Sequence, residues 1–171
     1  ISVTFSLATA VFMTQIAPKL GERIIRPAVE IFVGIPSVVY GWVGLVVLVP
    51  LLQRIFDLPH GQSVLAAGIV LSVMIYPTIT SVSADAIRSV NNKYVEGAYG
   101  LGSTRWQMIY KVLLPAALPG ILTAIVLGLA RAFGEALAVS MVIGKMRAFP
   151  DSLLAPTNSL TAAIASDTVS Y

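Results

Sequence analysis

Cysteine is absent from this chain and histidine occurs once, at His60. The first absence excludes a disulfide framework and thiolate chemistry, and the second excludes a clustered-histidine metal site. Charge is scarce too: 11% of residues are Asp, Glu, Lys or Arg, against roughly 25% in an ordinary soluble domain. The net charge of +3 comes without the basic run that marks a nucleic-acid surface, so no nucleic-acid partner is expected. A phosphate-cradling Gly-Lys-Ser/Thr loop is missing, so any ATP must be hydrolysed by another chain. Asp85, Asp151 and Asp167 lie outside the apolar stretches, and Ser37 and Ser140 have no histidine within reach. An enzyme is therefore not expected: there is no catalytic residue, metal site or bound cofactor to assign.

What is present is hydrocarbon. Hydrophobic residues make up 57% of the chain and the mean hydropathy is +0.87. They fall into runs of about the 17–25 residues that a bilayer demands. The expected spans are residues 1–16, 31–52, 64–80 and 118–143, separated by a long polar loop, 81–117, and followed by a tail, 144–171. None of the runs alternates as a strand would, which leaves helices as the spanning elements. The expected fold is an all-α integral membrane protein, a polytopic helical bundle in the lipid bilayer. The chain starts at Ile1, already inside an apolar stretch and without a signal-peptide n-region, and is expected to be a fragment.

Lysine and arginine orient the bundle, because short loops rich in them stay on the cytoplasmic side. Lys19, Arg23, Arg26, Arg88, Lys93, Arg105 and Lys111 fall on one side, and Arg54, Lys145 and Arg147 on the other. This puts the 81–117 loop in the cytoplasm and starts the tail outside. Lys145 and Arg147 either steer anions to an outer mouth or mark the membrane edge.

The second span carries Gly34, Pro36, Gly41, Gly44 and Pro50. In a membrane helix such residues mean either a packing kink with close helix approach, or a broken helix lining a cavity. Pro36, Ser37 and Tyr40 are pathway candidates on the second reading.

The cytoplasmic loop has two helical patterns hinged at a glycine. Asn92 is expected to cap a helix from Lys93 to Leu101, with Glu96 near its positive end, and Gly102 suits the left-handed residue that ends it. Thr104 and Gln107 form a capping box, after which Trp106, Ile109, Tyr110 and Leu113 share a face and Pro115 stops the helix. Such a loop is either a rigid knob for a soluble partner or a surface helix in the headgroup layer.

The fourth span contains Arg131 and Glu135, four residues apart and stacked on one face with Ala124, Gly128 and Ala138. An arginine at a helix centre costs about 2.5–3.5 kcal/mol on insertion scales, so such a residue faces the bundle or a wet cavity. Its planar guanidinium, with five donors, suits an oxyanion. Glu135 either holds the arginine in an empty site or repels over-charged cargo; alternatively the pair only fixes helix register.

Two stretches carry a family resemblance. Glu96, Gly97, Ala98, Gly102, Val112, Leu114 and Pro115 are spaced as in the EAA motif of bacterial ABC importer permeases, with Gly97 where alanine is usual. That replacement loosens the helix by about 1 kcal/mol. In the stretch from Gly128 to Val139, Arg131, Ala132, Gly134 and Glu135 match the Arg-Ala-x-Gly-Glu signature of phosphate-specific permeases, and the block from Ile35 to Gly41, Gln15 to Pro18 and Leu154 to Pro156 also fit. Over nearly its whole length the chain resembles the PstC-type permease subunit of phosphate importers. The resemblance implies the type I ABC importer permease fold with its first and last spans missing, in a bacterial or archaeal cytoplasmic membrane. It implies phosphate import with a PstA-type second permease subunit, two cytoplasmic ATPase subunits that use the ATP, and an extracytoplasmic phosphate-binding protein. It also makes the Glu96–Pro115 motif the contact with the ATPase. The same fold carrying sulfate, molybdate or an organic solute, and an anchor that transports nothing, are the other readings.

Overall fold

The computed structural model of the protein describes residues 1–144, 146 and 149–168. Lys145 and Arg147, the charges assigned to the outer edge, lie outside the described residues. Eight helices occur among the described residues: α1 (Ser2–Ile16), α2 (18–34), α3 (Ser37–Phe56), α4 (Val64–Arg88), α5 (Asn92–Gly100), α6 (Arg105–Gly134), α7 (Leu137–Ile143) and α8 (Leu160–Thr168). Strands are absent from them, apart from one isolated bridge between Gly144 and Thr157. Helices α3, α4 and α6 are long and apolar enough to cross a membrane, and α1 is a shorter apolar helix.

Prolines and polar residues shift the expected boundaries. The 31–52 stretch is two helices, because Pro36 disfavours helix at Ile35. Pro36 itself is extended, with φ −57° and ψ 138°, and its carbonyl accepts from Val39 N at 3.0 Å as α3 begins. The third span does not stop at Thr80: α4 continues to Arg88, since Ala84 and Ile87 give the polar-looking extension a buried face. Pro115 does not stop a helix either. The turn before it, Ile109–Leu113, is widened, with Leu114 N donating to Ile109 O, and such a turn absorbs the missing N–H and the crowding of proline. The loop and the last long span are therefore one helix, α6. The 118–143 stretch is broken in turn at Glu135 and Ala136, between α6 and α7.

The chain divides into two compact units, residues 1–33 with 76–129 and residues 34–75 with 130–171. In the first, Ala10 and Met13 of α1 pack with Ala84 and Ile87 of α4, Ala98 of α5, and Met108, Ile109 and Leu113 of α6. Ser6 Oγ and Thr80 Oγ1 both donate to the Tyr76 carbonyl, at 3.1 and 2.8 Å, the internal pairing that a membrane interior requires. Arg26 Nε reaches Glu30 at 2.9 Å and its Nη2 reaches Asp85 at 3.6 Å, while Arg88 lies 3.7 Å from Glu22. The Glu30 hydrogen bond first, then the Asp85 charge, raises the Arg26 pKa above its ordinary value. The Arg26–Asp85 and Arg88–Glu22 pairs join α2 to the end of α4.

In the second unit Val49 and Leu52 of α3, Ala66, Ala67 and Val70 of α4, and Ala138, Val139 and Val142 of α7 form the core. Two glycines set its spacing. A Cβ on Gly41 would lie 2.7 Å from Ala138 Cα, and one on Gly44 2.7 Å from Val70 Cγ2, so α3 approaches its neighbours more closely than any side chain allows.

Candidate functional site

Two places carry the residues singled out by sequence. The first is the α5–α6 corner in the first unit. The cap is Asn91, not Asn92: its Oδ1 accepts from Lys93 N at 3.0 Å, and the helix starts one residue earlier than expected. At the other end Gly102 is left-handed, with φ +78°. Ser103 N donates to Ala98 O at 3.1 Å and Gly102 N to Tyr99 O at 2.9 Å, the paired bonds of a Schellman termination. The Thr104–Gln107 capping box forms, with Thr104 N donating to Gln107 Oε1 at 2.9 Å. The corner between the helices is thus held by backbone bonds before the hinge and by side-chain capping bonds after it.

The expected face of α6 splits. Ile109 and Leu113 are 3% and 2% exposed and join Met108 in the core, whereas Trp106 and Tyr110 are 68% and 75% exposed. The widened turn at Ile109–Leu113 disturbs the spacing on which a single face depends. The motif residues divide the same way. Ala98 is buried and Val112 and Leu114 pack half-buried against the core, while Glu96, Gly97, Gly102 and Pro115 are exposed. Beside them Tyr94, Tyr99 and Leu101 are also exposed. Buried motif positions hold the corner rigid and exposed ones leave a surface with a carboxylate, glycines and aromatic rings.

The second place is the helix break in the second unit. Arg131 is half-buried in the last turn of α6, within electrostatic reach of Tyr40 on α3. Ser37 is half-buried one turn earlier on α3, and Pro36, exposed, precedes it. Helical geometry ends at Gly134, so Glu135 does not continue a stacked face above Arg131. Its carboxylate turns forward, with Oε1 accepting from Ala138 N at 3.0 Å, while its carbonyl accepts from Thr161 Oγ1 at 3.1 Å. A cavity of about 500 Å³ adjoins it, lined by Glu135, Ala132 and Phe133, by Ala67 and Gly68 of α4, and by Ser159 to Thr161.

Sequence reasoning missed Thr161 and the backbone contacts of the tail. Residues 150–159 are tied to the unit by backbone: Leu65 N donates to Leu153 O at 2.8 Å, Val64 N to Ala155 O at 3.3 Å and Thr157 N to Ile143 O at 3.1 Å. Carbonyls at the start of α4 satisfy its orphan N–H groups. Backbone contacts of this kind leave no side-chain pattern to read.

Residues 3–164 match the family model of the binding-protein-dependent transport system inner membrane component. The chain belongs to that family. It is a multi-pass, all-α protein of the cytoplasmic membrane. Among its relatives, a probable ABC transporter permease protein, YqgH, of Bacillus subtilis is 55% identical over 164 residues, covering 96% of this chain and 53% of that protein. The phosphate transport system permease protein PstC of Pasteurella multocida is 38% identical, covering 98% of this chain and 58% of the relative. That of Haemophilus influenzae is 37% identical, at 98% and 59%. The chain therefore spans little more than half the length of these curated relatives. No solved structure matches it.

Proposed function

We propose that the protein is the membrane-spanning permease subunit of an ATP-driven importer that carries phosphate across the cytoplasmic membrane. The observation that carries this reading is Arg131, a guanidinium half-buried at the end of an apolar membrane helix and within electrostatic reach of Tyr40. A fixed fork of donors is suited to the tetrahedral oxygens of phosphate, and in low dielectric its charge is felt strongly. The Tyr40 hydroxyl is a second donor for the same anion. The names of the relatives from Pasteurella multocida and Haemophilus influenzae point to phosphate as cargo.

The α5–α6 corner supplies the drive. Its exposed Glu96, Gly97 and Gly102, with Trp106 and Tyr110 alongside, fit a docking surface for cytoplasmic ATPase subunits, two of them in the complete importer. The corner includes the start of α6 (Arg105–Gly134), the helix whose last turn bears Arg131. Glu135 acts as a positioning residue that holds the break through Ala138. A PstA-type second permease subunit and an extracytoplasmic phosphate-binding protein complete the system, and the ATP belongs to the ATPase chains, with no cofactor on this one. Pro36 and Ser37 start α3, the helix that carries Tyr40.

The test is uptake of labelled phosphate by vesicles that contain the complete importer, with unlabelled sulfate and molybdate as competitors. Phosphate uptake that depends on ATP and resists both competitors is the expected result. Uptake of sulfate or molybdate in place of phosphate overturns the cargo and leaves the permease.

A further inference from the structure

We propose that Thr161 is a positioning residue for cargo, and that residues 159–161, braced by the segment before them, form a wall of the cavity at the helix break. The inference rests on the reading of the Arg131–Glu135 region as the phosphate path.

Where α6 ends at Gly134, its last carbonyls lose their intrahelical partners, and in a membrane such groups must be satisfied by protein. The carbonyl of Glu135 is met by the Thr161 hydroxyl at 3.1 Å. The same residue's carboxylate holds Ala138 N, the opening of α7, at 3.0 Å. Glu135 thus carries one bond from the tail and one to the half-helix, and a shift of either is felt at the other.

Thr161 is itself braced. Ser159 Oγ lies 3.3 Å from its Oγ1 and also accepts from Ala162 N at 3.2 Å. Upstream, Leu153, Ala155 and Thr157 bond to the backbone of α4 and α7. The hydroxyl is therefore presented from a fixed segment, and Ser159, Leu160 and Thr161 line the cavity of about 500 Å³ together with Glu135. A segment that walls the cavity and sets the Glu135 carbonyl governs how the break is shaped when anion occupies it.

The experiment is steady-state phosphate uptake by the complete importer carrying Thr161→Val, which keeps the shape and removes the donor, beside Thr161→Ser, which keeps the donor. Thr161→Val should raise the KM for phosphate about threefold to tenfold, the effect of one lost hydrogen bond, with assembly and maximal rate near native. Thr161→Ser should restore the native KM. An unchanged KM in Thr161→Val overturns the proposal, as does a Thr161→Ser importer as impaired as Thr161→Val. If Thr161→Val fails to assemble, Thr161→Ala is measured, and failure of both makes the residue structural and overturns the proposal. A native importer that takes up no phosphate overturns the cargo reading and this inference together, whereas native uptake with an unchanged Thr161→Val KM overturns this inference alone.

Discussion

The Glu135 carboxylate accepts a hydrogen bond from the main-chain N–H of Ala138, 3.0 Å away. A side chain that spacing assigns to the face of Arg131 thereby acts as a local cap, because the helix ends one residue before it. Short acidic side chains do this readily at helix starts, and a longer one can do so where the chain bends. The acid is thus tied to the geometry of the break.

This bond has a measurable consequence. Glu135→Gln keeps an oxygen acceptor and should unfold, within the purified importer, near the native temperature. Glu135→Ala leaves the N–H without that acceptor and should destabilise the region by about 0.5–2 kcal/mol, the range for losing a cap. Equal thermal midpoints for the alanine variant and the native importer would contradict the capping role.

Close packing of α3 on α7 gives a second prediction. A Cβ on Gly41 meets Ala138 Cα at 2.7 Å and Met141 Sδ at 2.9 Å, whereas one on Gly34 meets nothing within 4 Å. Gly41→Ala should cost about 1–3 kcal/mol through overpacking and lower the yield of assembled importer, and Gly34→Ala should leave the yield unchanged. Comparable yields from the two variants would show that the glycine contact does not set the spacing.

The loop offers a paired test of two exposed glycines. Gly97 is helical with open space around its missing Cβ, while Gly102 has φ +78°. Gly97→Ala should stabilise α5 by up to about 1 kcal/mol, and Gly102→Ala should destabilise it by about 1 kcal/mol because an L side chain is strained there. Hydrogen exchange of the 92–100 amides in the assembled importer checks both: slower in the first variant, faster in the second.

How much of this was legible differs from place to place. Long apolar runs give membrane helices because a bilayer allows little else, and the Gly102 hinge and Thr104 capping box are decided by bonds between neighbours in sequence. Pro115 read as a stop because the local rule forbids proline in a regular helix; the widened turn at Ile109–Leu113 escapes that rule and also parts Trp106 and Tyr110 from Ile109 and Leu113. Asn91 and Asn92 differ by one position, which side-chain type alone cannot choose between. At the break, Arg131 was visible as a charge in hydrocarbon, but Thr161 reaches Glu135 across 26 residues by a bond to a backbone carbonyl. Nothing in residue type marks such a partner.

The central claim is that Arg131 receives the anion. The measurement that tests it most directly is ATP-driven uptake of labelled phosphate by vesicles with the complete importer, native against Arg131→Gln, with ATPase binding checked in both. Loss of uptake with the ATPase still bound is the predicted result. Native uptake by Arg131→Gln would contradict the account and leave the arginine a structural residue.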